Sequence, residues 1–66
     1  MRNPKEDRRV RRTQKLLKES LVQLMSEKAF KDITIKEIGS VTSFTRTSIY
    51  NYFQTKEEIF LALLQQ

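Results

Sequence analysis

Cysteine, histidine and tryptophan are absent from these 66 residues, and glycine and proline occur once each. Without cysteine, neither a disulfide nor a thiolate metal site can brace the fold, and without histidine the usual zinc ligand sets are gone as well. The same absences remove the side chains from which a nucleophile–base pair or a metal-assisted active site is built. Enzyme function is therefore not expected, and no cofactor is implied. No apolar run approaches the roughly 18 residues of a membrane span. The first residues are charged with no apolar stretch behind them, unlike a secretory signal. A soluble, cytoplasmic chain is expected. A chain of this length buries only about 60% of its unfolded surface, so helix–helix packing is the expected source of its stability.

What is present is charge, unevenly placed. Residues 1–15 hold Arg2, Lys5, Arg8, Arg9, Arg11, Arg12 and Lys15 against Glu6 and Asp7, and the remaining acidic and basic groups balance. The whole net charge of +5 thus lies in the first fifteen residues. A basic arm on a neutral body points to a polyanionic partner, nucleic acid before an anionic membrane, with a solubilising tail as the bland alternative.

Apolar residues at Val10, Leu17, Leu21, Leu24 and Met25 recur at helical spacing, flanked by Leu16 and Val22. They predict a long first helix from about Val10 to Lys28, preceded by an arm that is loose until something binds it. "ITIKEI" opens a short second helix. Thr34 and Glu37 stand at capping-box spacing, with Ile33 and Ile38 as the flanking apolar staple. Thr45 is the expected N-cap of a third helix, with Phe44 and Ile49 in the staple positions. Thr55 and Glu58 form another box before a fourth. No segment alternates long enough for a strand. The expected fold is all-α: a three-helix, homeodomain-like helix-turn-helix with the start of a fourth helix. Phe44 is placed to plug the space between the second and third helices, and Gly39 to let them approach.

On a helix starting at Arg46, Ile49 and Phe53 share one face, which must be the core face. Thr47 and Asn51 lie opposite, with Tyr50 and Gln54 beside them and Arg46 at the N-terminal end. Such residues suit base reading. Arg pairs bidentately with guanine and Asn with adenine, while a Thr methyl or a Tyr ring meets thymine methyls. An ordinary wet helix face is the alternative. Tyr52 is placed on the flank of the core. Lys56 occupies a helix start, where a cation opposes the dipole, and a phosphate bound there would account for it.

The stretch "KLLKESLVQLMSEKAFKDITIKEIGSVTSFTRTSIYNYFQTKEEIFLALL" resembles the N-terminal domain of the tetracycline-repressor (TetR/AcrR) family of bacterial transcription regulators. The resemblance covers roughly residues 10–64, and "SIYNYFQTKEEIF" carries its most specific part. It implies a basic flexible arm over 1–9 and a DNA-binding helix-turn-helix domain over 10–54. Residues 55–66 would begin a fourth helix leading to a ligand-binding, dimerising body. The recognition helix, about 45–53, would enter the major groove of double-stranded DNA. By position, the resemblance implies base contacts from Arg46, Thr47, Tyr50 and Asn51. It implies phosphate contacts from Thr34, Lys36, Thr45, Ser48, Tyr52 and Lys56. The longer protein would be a homodimer and a repressor, and this chain alone a monomer.

Three positions depart from the family pattern. Ser43 stands where glycine usually precedes the plug residue, and must either accept a positive φ or change the turn. Gly39 replaces the common alanine, and Ala29 the common glycine. The rival reading from another class is a protein-interaction module, a similar head that has lost its DNA contacts.

Overall fold

The computed structural model describes residues 4–65, the first four of them as backbone only. Four helices follow in order: α1 (Pro4–Met25), α2 (Ile35–Thr42), α3 (Arg46–Tyr50) and α4 (Lys56–Leu64), with a 3-10 turn at Phe30–Asp32 between the first two. The described residues contain no strand. The all-α expectation holds.

α1 begins six residues earlier than the spacing of its apolar residues predicts, so residues 4–9 continue the helix where a loose arm was expected. A proline at the first helical position loses no hydrogen bond there, and its fixed φ suits the helix. No further proline or glycine follows until Gly39. The rest of the expected arm, residues 1–3, lies outside the described residues. The buried part of α1 starts at Leu17 and continues through Ser20, Leu21 and Leu24. Val10 and Met25, expected on that face, are 36% and 39% exposed at its two ends.

The core consists of Leu17, Leu21, Leu24, Ile33, Ile38, Ile49, Phe53 and Ile59, with Phe30, Phe44, Tyr52 and Phe60 packed around it. Each fully buried Leu or Ile is worth about 1.5–3 kcal/mol relative to exposure. Ser20, the one buried polar side chain among the described residues, is satisfied by donating to the Leu17 carbonyl at 2.7 Å. Both α2 and α4 pack on α1 and run back along it. Lys28, just after α1, pairs with Glu37 at the start of α2, whereas Leu16 shares a groove with Val41 and Thr42 at its end. Lys56 at the start of α4 reaches Phe30, whereas Leu63 at its end lies beside Lys15 and Lys18.

Each expected cap is in place. Thr34 Oγ1 accepts from the Glu37 amide at 3.2 Å while Glu37 Oε1 accepts from the Thr34 amide at 3.0 Å, closing the capping box. Ile33 and Ile38 are both buried on either side of it. Thr45 and Thr55 accept from the amides of Ser48 and Glu58. The second box is shifted by one residue, because Glu58 Oε1 accepts from the Gln54 amide instead of that of Thr55.

Candidate nucleic-acid interface

α3 is held against α2 by a turn with little slack. Ser43 has φ 67° and ψ 18°, a left-handed conformation that closes the C-terminus of α2. Of the two outcomes open to a serine here, positive φ is the one adopted. Thr42 secures the turn by donating its hydroxyl to the Ile38 carbonyl at 2.9 Å and accepting from the Phe44 amide at 3.3 Å. A Cβ on Gly39 would lie 2.7 Å from the Phe44 carbonyl oxygen, so the absence of a side chain is what admits the turn. Phe44 is half-buried and packs on the core, as its plug position requires. Ala29 is extended, at φ −66° and ψ 147°, and has no need of glycine's freedom.

α3 itself is shorter than the expected 45–53 span. It ends at Tyr50, and Asn51 is its C-cap. The Tyr52 and Phe53 amides nonetheless converge on the Ile49 carbonyl at 2.9 Å, and Gln54 Nε2 donates to the Tyr50 carbonyl at 2.8 Å. These bonds hold Asn51 one turn beyond Thr47 while satisfying the carbonyls at the helix end. Ile49 is fully buried and Phe53 nearly so. The opposite face carries Arg46, Thr47, Tyr50 and Asn51, all exposed, with Tyr50 at 41%.

The structure brings several of the expected contact residues to one surface. Lys36 from α2, with Ser40 and Ser43, meets Thr45 and Arg46 across an open groove between α2 and α3. Two cations therefore flank a groove that leads onto the exposed face of α3. Among the described residues no ion pair or hydrogen bond holds the Arg46 or Lys36 side chain. The remaining candidates are less available. The Thr34 and Thr45 hydroxyls serve as caps, Ser48 is half-buried with its hydroxyl accepting from Thr45 at 3.1 Å, and Tyr52 is half-buried against the core.

Lys56 departs most from expectation. Its side chain is half-buried, and its ammonium donates to the Phe30 and Ile33 carbonyls at 2.6 and 2.9 Å. The lysine at this helix start therefore has an internal reason, and no phosphate is needed to account for it. A second polar contact that the sequence did not reveal joins Lys28 to Glu37. The Lys28 ammonium beside it holds the Glu37 carboxyl below the ordinary carboxylate range, and Glu37 in turn raises Lys28. Nothing in the local pattern marks a pair nine residues apart across a 3-10 turn.

A short, capped helix packed through one face and offering Arg, Thr, Tyr and Asn on the other, beside a second helix at a tight turn, defines the class of helix-turn-helix domains. Residues 18–63 match the family model described as bacterial regulatory proteins, tetR family, and the chain belongs to that family. It is a DNA-binding domain of a transcription regulator. No curated protein and no solved structure gives a significant match. None of the described helices is long and apolar enough to cross a membrane.

Proposed function

We propose that this chain binds double-stranded DNA sequence-specifically, with α3 in the major groove, as the head of a cytoplasmic repressor. Arg46, Thr47, Tyr50 and Asn51 contact base edges. Lys36, Thr34, Thr45, Ser48 and Tyr52 face phosphates, which orient the helix without reading sequence. The exposed Arg8, Arg9, Arg11 and Arg12 on α1 add sequence-independent attraction. The head serves binding and not catalysis. Two such heads in a homodimer would engage half-sites about 34 Å apart, and these 66 residues by themselves would be monomeric.

One observation carries this reading: the only aromatic on α3, Tyr50, is 41% exposed one helical turn beyond Arg46, while Ile49 beside it in sequence is fully buried. Selection from a random duplex library, followed by binding to the selected and to a scrambled duplex at several salt concentrations, tests it. A preference for the selected sequence with a steep salt slope is expected. Binding without preference would leave only electrostatic attraction, and no binding at low salt would favour the protein-interaction reading.

A further inference from the structure

α4 begins with the residue that its own dipole disfavours, because a cation at a helix N-terminus faces unpaired amide hydrogens. Lys56 turns away from them. Its ammonium crosses to the connection between α1 and α2 and donates to two carbonyls of that connection, those of Phe30 and Ile33. It also stands 4.6 Å from the centroid of the Phe30 ring. Four residues along α4, Phe60 packs on the same ring at 5.4 Å and 50°. The positions i and i+4 lie on one helix face, so α4 holds Phe30 with a cation at one point and a ring at the next. An ammonium has three donors, and two of them are taken here.

The acceptors have consequences for the interface. Ile33 immediately precedes Thr34, the N-cap of α2, and α2 carries Lys36. Lys56 itself follows the segment Tyr52–Thr55 that leads out of α3. The lysine therefore ties the start of α4, which the chain reaches from α3 through Tyr52–Thr55, to the residues that lead into α2. With the turn at one end and Lys56 at the other, the relative placement of the two helices is tied twice.

We propose that Lys56 is a positioning residue that sets the docking geometry of α2 and α3 from inside the domain, and not a ligand for phosphate. This rests on the DNA-binding reading for its functional consequence, and the experiment keeps the two separable. In the 66-residue chain, Lys56→Met keeps much of the aliphatic stem but leaves both carbonyls without the ammonium, and Phe30→Leu removes the ring while keeping the charge. Lys56→Arg retains a cation and its donors.

Both Lys56→Met and Phe30→Leu should lower the melting temperature by roughly 5–15 °C. At a temperature where each is still folded, both should weaken binding to the selected duplex by roughly three- to ten-fold, and the double variant should lose less than the product of the two. The log–log salt slope should stay that of the parent, and Lys56→Arg should recover most of both losses. Amide shifts in the free protein should move at residues 34–37 and 50–53 in both variants.

A slope flattened by roughly 0.9 in Lys56→Met alone, with Phe30→Leu binding normally, would make Lys56 a phosphate ligand and overturn the proposal. Unchanged affinity of the folded variants would overturn it too, reducing the lysine to a brace. If the parent chain binds no duplex, the DNA reading fails by itself. The amide shifts then decide the positioning claim, and their absence from residues 34–37 and 50–53 overturns it. Should Lys56→Met not fold, Phe30→Leu and Lys56→Arg carry the same comparisons.

Discussion

The connection leading into α2 and the turn leading out of it are fixed by different means. Into α2, polar side chains from three parts of the chain converge. Lys56 bonds the Phe30 and Ile33 carbonyls, Thr34 and Glu37 cap each other, and Lys28 pairs with Glu37. Out of α2, backbone geometry does most of the fixing: a left-handed serine and a glycine that leaves room for a carbonyl. Thr42 alone contributes side-chain hydrogen bonds to that turn. The first arrangement is shared among several side chains, so losing the Thr34 cap leaves the Lys56 and Lys28 contacts in place. The second has no spare atom. The turn beside the exposed face of α3 is thus the less forgiving of the two.

Gly39→Ala should show this most strongly. The new methyl would meet a backbone oxygen at 2.7 Å, and backbone cannot swing aside as a side-chain end could. A loss of about 1–3 kcal/mol is expected, measured by urea unfolding, despite alanine's better helix propensity. A neutral or stabilising outcome would mean that the turn is slack, and the contrast with the α1–α2 connection would go. Thr34→Ala removes one of several supports there and should cost about 1 kcal/mol, typical of an N-cap.

Ser43→Gly acts in the opposite direction. Glycine adopts positive φ without steric cost, although it loses more freedom on folding. A gain of about 0.5–1 kcal/mol is expected, and a loss would show that the serine hydroxyl contributes something beyond its backbone conformation.

The smallest effect concerns pH. Glu37 is held below its ordinary value in the folded protein, so its pairing contributes stability above the unfolded carboxylate range. That contribution is lost as pH falls through the lower folded value. Glu37→Gln should therefore lie below the parent in melting temperature at neutral pH, and the gap should close in acid. For Lys28, whose pKa is raised, the contribution is present below its unfolded value and lost as pH rises through the folded one. A gap independent of pH from acid to neutral would leave Glu37 with a packing role only.

Local chemistry made much of this fold legible. Three threonine caps, the core residues Leu17, Leu21, Leu24, Ile38, Ile49 and Phe53, and the exposed side of α3 follow from spacing within a turn or two of helix. Features that depend on distant partners did not. Lys56 looks misplaced within its own helix, and only the fold supplies the Phe30 and Ile33 carbonyls that it serves. Val10 continues the apolar stripe of α1, yet the buried part of that helix begins only at Leu17. Glu58 fits a capping box with Thr55, but the chain brings the Gln54 amide to it instead. The extension of α1 back to Pro4 was hidden by charge, since a run of arginines reads equally well as a tail or as a solvated helix.

The central claim is that the outward face of α3 reads bases, and Tyr50→Ala tests it most directly. Its ring is 41% exposed on the side away from Ile49 and Phe53, so circular dichroism melts should change little. Binding to the duplex selected by the parent chain, measured against a scrambled duplex at one salt concentration, should lose about 1–3 kcal/mol of discrimination, the scale of one good base contact. An unfolded variant, or a folded one that keeps the full preference for the selected sequence, would contradict the assignment.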